Sequence, residues 1–254
     1  MIKTITEIQL VSHLFEGWDE TMIWSCLQGI MGNIYSDADK GYASAKAVLG
    51  DFCCLAGTAD KELLVYQPAN KKQGFIILVP QTKEWENLIE KTYSKANKIK
   101  RYAFKKHMDC FDIPKLKQAV TNLDNDFSIQ MIDEDIYNKC KSKKWSVDLV
   151  SQYNTYEMYQ QLGLGVVILH GDEIVSGASS YTTYDSGIEV EIDTREDYRR
   201  KGLAYIAASE LIIECCKRNI FPSWDAHNSE SAKLAKKLGY IHDYEYTAFE
   251  VDLG

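Results

Sequence analysis

The sequence predicts an α+β protein in two parts, and three observations predict it. The chain has 254 residues, enough for two domains of ordinary size. After residue 126 the segments run β-α-α-β-β-β-α-β-α-β, an order that builds a mixed sheet with helices on its faces. Between the parts, Thr121–Asp126 (TNLDND) is polar and unpatterned, so the boundary is expected there. The expected domains are therefore 1–125, an α/β unit, and 126–254.

Taken in order, the first thirty residues read as helical. Ile8, Leu10, Val11, Leu14 and Phe15, then Ile23, Cys26 and Leu27, recur near a 3.6-residue period. Beyond Gly32 and a loop come strand-like segments at Ala47–Leu49, Phe52–Ala56, Leu63–Tyr66 and Phe75–Val79, the last closed by Pro80. A helix from about Glu84 to Ala96 and a strand at Lys98–Phe104 follow, and Pro114 opens a short helix. In the second part Phe127–Ile132 reads as a strand and Glu134–Gln161 as one or two helices. Val166–His170 and Ile174–Tyr181 form a hairpin through Gly171-Asp172. Asp185-Ser186-Gly187 turns the chain into the strand Ile188–Thr194. A helix at about Gly202–Lys217, a strand at Ile220–Trp224, a helix at about Ser229–Leu238 capped by Gly239, and a strand at Tyr240–Val251 complete it.

Composition excludes several classes. Apolar residues are 45% and charged residues 26%, ordinary for a globular protein. No stretch reaches the roughly 18 consecutive apolar residues of a membrane helix, and MIKTITEIQL lacks the apolar core of a signal peptide. Seven cysteines, two adjacent pairs among them and no CxxC spacing, point to free thiols in a reducing cytosol, with no zinc site. A net charge of −8 disfavours nucleic acid as a partner. The charge is uneven: residues 1–125 carry 16 Lys/Arg against 15 Asp/Glu, and the remainder 13 against 22. Lys98, Lys100, Arg101, Lys105 and Lys106 read as a solvated strand edge. Within the acidic half, however, Arg195, Arg199, Arg200 and Lys201 crowd into seven residues.

That reversal of sign stands between a strand and a long helix, in Tyr198-Arg199-Arg200-Lys201-Gly202-Leu203-Ala204. The N–H groups opening a helix point outward with the positive end of its dipole behind them, which favours an anion. Gly202 lets the backbone approach a phosphate with no Cβ in the way, and the flanking cations match a pyrophosphate. On the loop alone, a solvated basic turn is an equal alternative. No Walker-type loop is present, and Gly163-Leu-Gly165 leads into a strand, so it is no dinucleotide fingerprint.

Arg-x-x-Gly-x-Ala after a strand and before a helix resembles the acetyl-CoA pyrophosphate loop of the GNAT superfamily. Downstream, Trp224-Asp225-Ala226-His227-Asn228, then Ser231, Leu234, Ala235, Leu238, Gly239 and Tyr240, is similar to that superfamily's second signature. Both lie in order within residues 126–254. LQGIMG and SAKAVLGDF in the first half resemble a bacterial group of two-part GNAT proteins that includes zwittermicin-resistance acetyltransferases. The resemblance implies a GNAT-like mixed sheet and acetyl-CoA as acyl donor to a small-molecule amine, while the charge argues against a membrane partner. It implies that the pantetheine arm runs between Ile188–Thr194 and Ile220–Trp224, along Ile192, Asp193 and Thr194. Arg199, Arg200, Lys201, Gly202, Leu203, Ala204 and Tyr205 would hold the pyrophosphate. Asn228 and Ser231 match cofactor-contacting positions, with a plain helix cap and a surface turn as the alternatives.

An attacking amine with a pKa near 10.4 is neutral in roughly one molecule in a few thousand at pH 7, so a base is useful. GNAT enzymes often take it from the strand before the loop. Glu189, Glu191 and Asp193 alternate onto one face there unless a bulge shifts the phase, and a cationic acceptor suits them. Glu191 is the first expectation for the base, Glu189 the second and His227 a third; a wet polar sheet face is the alternative. Backbone N–H groups on the strand edge would hold the oxyanion. The sequence departs from the family at Ala235, where many members carry a tyrosine that protonates the thiolate, and the general acid stays unassigned. That departure keeps a second expectation open, a CoA-binding sensor or partner module without catalysis. The first half, with Phe75–Val79, the helix from Glu84 and Lys98–Phe104 in β-α-β order, is expected to be a degenerate GNAT-like unit that shapes the acceptor pocket and binds no CoA itself.

Overall fold

A computed structural model describes residues 1–68 and 74–253. The chain runs β1 (Ile2–Thr4), α1 (Thr21–Gln28), β2 (Asn33–Asp37), β3 (Ser44–Leu49), β4 (Phe52–Gly57), α2 (Lys61–Val65), β5 (Phe75–Pro80), α3 (Lys83–Thr92) and β6 (Asn97–Phe104). It continues with α4 (Ile113–Thr121), β7 (Phe127–Met131), α5 (Glu134–Lys141), α6 (Tyr156–Leu162), β8 (Gly165–His170), β9 (Glu173–Tyr184) and β10 (Gly187–Thr194). Last come α7 (Leu203–Arg218), β11 (Phe221–Ser223), β12 (Asp225–Ala226), α8 (Ser229–Leu238) and β13 (His242–Asp252). The fold is α+β, as the segment order predicts, with two mixed sheets.

The chain forms two compact units, Met1–Arg101 with Glu245–Gly254, and Tyr102–Tyr244. The expected break at 125/126 falls inside the second unit, between α4 and β7. The reason is packing: Leu116 of α4 shares a buried core with Ile212 and Ile213 of α7.

In the first unit β2, β3 and β4 form an antiparallel meander and β4 pairs parallel with β5, Phe52 opposite Ile77 through Leu55 opposite Pro80. β13, arriving from the far end of the chain, lies between β5 and β6. Leu55, Leu78, Trp85, Ile89 and Phe249 form the core, and the Trp85 indole N–H donates to the Gly57 carbonyl at 2.9 Å. Three sequence expectations need correction here. Residues 8–15 make two short 3₁₀ turns instead of a helix, and left-handed Gly17 (φ 74) separates them from α1. Leu63–Tyr66 belongs to a helix ending at Val65: Asp60 accepts from the Glu62 and Leu63 amides at 2.8 and 3.2 Å and caps the turn. β5, α3 and β6 are no adjacent β-α-β unit, because β13 separates the two strands; the parallel pair is β4–β5, joined through α2.

In the second unit β7, β8, β9 and β10 are successive antiparallel neighbours, and β11 adds to β10 in parallel. Left-handed Gly171 (φ 60) makes the expected β8–β9 turn. Helix α7 covers one face, where Leu203, Ala207 and Leu211 meet Val166, Val175 and Ile188. On the other face Leu149 lies over Gly177, where an added Cβ would come within 2.7 Å of its side chain. Burial of these apolar side chains, at about 25 cal/mol per Å², is what holds sheet and helix together.

Candidate functional site

Helix α7, like α1 and α3, has no capping bond from its N-cap side chain, here because the N-cap is Gly202, whereas α4, α5, α6 and α8 are capped by Asp112, Asp133, Thr155 and Asn228. Ahead of it Arg200 (φ 63) and Gly202 (φ 82) both adopt the left-handed conformation. Among the described residues, nothing beyond its own chain neighbours lies within 4 Å of where a Cβ on Gly202 would stand, so the glycine serves the backbone angle and leaves an open approach. A left-handed arginine is strained by about 1–2 kcal/mol, the kind of cost that collects at functional loops.

The cations around this loop have separate tasks. The Arg199 Nε donates to the Thr194 carbonyl at 3.2 Å, tying the loop to the end of β10. Arg195 pairs with Asp197 at 2.8 Å and stacks 4.6 Å from the Tyr198 ring centre; Lys201 stands 4.2 Å from the same centre. The Tyr198 hydroxyl meets His170 Nδ1 at 2.7 Å, and its ring meets Phe127 edge-on at 6.2 Å. Tyr198 therefore anchors the loop to β7 and β8.

Beside the loop two parallel strands part. β11 pairs β10 only from Gly187 opposite Phe221 to Glu189 opposite Ser223. Pro222 in its middle has no N–H to give a ladder, and after Trp224 the chain joins β6 instead, Asp225 opposite Ala103. Among the described residues, Val190–Thr194 has a strand neighbour only on the β9 side. The Arg195 amide donates to Val175 O of β9 at 3.0 Å, which sets the phase. By alternation Asp193 and Glu191 turn their peptide groups to β9, while Val190, Ile192 and Thr194 turn theirs to the side β11 has left. The Ile192 amide donates there to Glu191 Oε1 at 3.1 Å.

The three acids keep the expected face. Ile188, Val190 and Ile192 pack under α7, so Glu189, Glu191 and Asp193 lie opposite. A register shift does occur at Glu189/Val190, but the extra residue, Tyr181, is on β9, so the alternation of β10 survives. Asp193 pairs Gly177, and burial, then the charge of Asp148 in the Val147–Leu149 turn, push its carboxyl up to about 6 against the pull of Arg199. Glu189 is only 7% exposed, between Thr182 on β9 and Ser223 on β11. Ser223 shares a 2.8 Å hydrogen bond with the Tyr184 hydroxyl.

The downstream signature does structural work. Asn228 Oδ1 caps α8 through the Glu230 and Ser231 amides at 3.0 and 2.9 Å, and its Nδ2 lies 3.0 Å from Nδ1 of exposed His227. Ser231 Oγ accepts from the Trp224 indole at 3.1 Å. Ala235 is fully buried. The Tyr240 hydroxyl donates to Pro222 O at 2.7 Å, and burial holds its acidity far below that of an ordinary phenol. Asp148, Thr182, Ser223 and Tyr184 were not foreseen as neighbours of the acids. Strand register brings three of them together and a 3₁₀ turn brings the fourth; no spacing signal marks them.

A family model described as GNAT acetyltransferase matches residues 12–249. The chain belongs to the GNAT acetyltransferase family. A crystal structure of a GCN5-related N-acetyltransferase-like protein from Streptococcus suis 89/1591 is 46% identical, with a TM-score of 0.90 over 96% of this chain and 97% of that one. An uncharacterized N-acetyltransferase of Bacillus subtilis, YdfB, is 29% identical over 72% of this chain and 69% of its own. A tandem GNAT protein from the clavulanic acid biosynthesis pathway, solved without acetyl-CoA, shares the fold at 9% identity, with a TM-score of 0.52 over 87% of this chain and 83% of its own. Antiparallel β7–β10 followed by α7 and parallel β11 is thus the GNAT core of this chain, and no described helix is long and apolar enough to cross a membrane.

Proposed function

We propose that the second unit transfers the acetyl group of acetyl-CoA to a primary amine of a small molecule by direct attack on the thioester. The observation that carries this reading is the parting of β10 from β11 beside the uncapped start of α7, in a chain of this family. The amides of Leu203, Ala204 and Tyr205 precede the first α-helical bond, from Ile206 N–H to Gly202 O, and would take the pyrophosphate together with Arg199, Arg200 and Lys201. The pantetheine arm would lie along Val190–Thr194 in the place β11 has left. Glu191, one residue from that edge, would remove the amine proton directly or through water, with Glu189 the second choice and an edge N–H receiving the oxyanion. Three acids on one sheet face favour a cationic acceptor.

The test is a screen of polyamines, aminoglycosides and amino acids for release of free CoA thiol, with product acetylation read by mass. A second reading, a CoA-binding module without catalysis, is favoured by Ala235 at the position where many relatives carry a tyrosine. Tight acetyl-CoA binding with no thiol release across the screen would support it.

A further inference from the structure

Among the described residues, two of the peptide groups that β10 turns to its open side make hydrogen bonds with the chain's own side chains. The Thr194 carbonyl accepts from Arg199 Nε, and the Ile192 amide donates to the carboxylate of its own neighbour, Glu191, at 3.1 Å. The second contact is unusual in its direction. Glu191 belongs to the face opposite the Ile192 side chain, so its carboxylate reaches the strand edge only by folding back along the backbone. An amide given to a carboxylate is charge-assisted, stronger than the same amide given to a neutral carbonyl. The edge N–H that an added strand would use is therefore already satisfied by an acidic side chain.

We propose that Glu191 is a plug on the open edge of β10, displaced when a carbonyl of an acyl-coenzyme A arm takes the Ile192 amide. The inference rests on the reading of β10 as the strand that receives that arm. The exchange substitutes a neutral acceptor for an anionic one, so it lowers the affinity of the arm relative to an open edge. The displaced carboxylate stays tethered one residue from the amide it has left, within side-chain reach of the group bound there. Donor binding thus releases the very carboxylate that the incoming amine needs, and the order of events is donor first, deprotonation second. Before the donor arrives, the carboxylate is engaged with backbone and a poorer partner for a cationic acceptor.

The experiment is calorimetric titration of the full chain with two probes, acetyl-CoA and 3′-phosphoadenosine 5′-diphosphate, the nucleotide without its arm. Glu191→Ala should bind acetyl-CoA about 3- to 10-fold more tightly than the parent, the worth of one hydrogen bond that no longer has to be broken. Its affinity for the armless nucleotide should stay within about twofold. Glu191→Gln, whose amide oxygen still accepts from Ile192 but carries no charge, should fall between. If the alanine variant does not fold, the glutamine variant carries the same test. Equal or weaker acetyl-CoA binding by the variants overturns the plug. So does an equal gain for both probes, because removal of a negative charge near an anionic ligand would then be the whole effect. Parent protein that binds neither probe overturns the reading of the site itself, a separate and recognisable failure.

Discussion

Each unit contains a pair of parallel strands joined through a helix, and the two junctions are built in opposite ways. In the first, β4 and β5 stay paired over four residues and the connecting α2 is five residues long. Its opening amides are closed by Asp60, and Lys40 holds both Asp60 and Glu62 at 2.6 and 2.8 Å. In the second, β10 and β11 pair over three residues and part, α7 is sixteen residues long, and its N-cap, Gly202, has no side chain to close the opening amides. Where the first junction spends an internal carboxylate on the helix end, the second surrounds it with arginine and lysine. The same topology is closed by an internal carboxylate in one unit, and in the other we propose that it is left for the pyrophosphate.

The largest expected effect separates the junctions by chemistry. Glu191→Gln should lower kcat by about 10²–10⁴-fold at pH 7, and the deficit should shrink as pH rises and free amine accumulates. Steady-state kinetics with the acceptor found in the screen checks it; normal turnover at pH 7 would move the role to Glu189, His227 or solvent.

A second effect concerns Asp193, which titrates near 6 in the folded protein against an ordinary 3.8. The folded state keeps the proton between about pH 4 and pH 6, where the unfolded chain has released it, so stability falls as pH rises through that window and stays lower above it. Asp193→Asn removes this loss. Denaturant unfolding should show a gain of about 2–3 kcal/mol at pH 7 and almost none at pH 4. A gain that does not depend on pH would assign the effect to packing instead of ionisation.

The smallest effect belongs to the first junction. Asp60→Ala should cost about 1 kcal/mol of stability through the lost cap, while acetyl-CoA affinity and turnover stay unchanged. A change in either would give this unit a part in the reaction that its closed helix end does not suggest.

How much of this was legible in the sequence differs between the units for a physical reason. In the second, β8, β9 and β10 are six to twelve residues long and follow one another through two-residue turns, so alternation and the Gly171 signal expose them, while Gly239 marks the end of α8. The loop at Arg199–Ala204 was legible because its residue types are required locally. In the first unit, β2 (NIYSD) escaped because two of its polar residues, Ser36 and Asp37, are buried: Ser36 is fully so and donates to the Ser44 carbonyl at 2.5 Å. Leu63–Val65 looked like a strand by residue type, yet one capping aspartate decided for helix. Nothing local announces that β13 inserts between β5 and β6, because that pairing spans most of the chain. The environment of Glu189 and Asp193 was hidden in the same way, since Thr182, Ser223 and Asp148 reach them only through register and packing.

The contrast between the junctions makes one claim above the others, that a single acetyl-CoA binds per chain, at α7. Calorimetric titration of the parent chain and of Gly202→Val tests it. A valine at φ 82 is strained and puts a Cβ into the open approach, so the variant should show no measurable binding while keeping the circular dichroism of the parent. The parent should bind about one acetyl-CoA per chain, and the variant should bind none. Two equivalent sites per chain, or undiminished affinity in Gly202→Val, would contradict it.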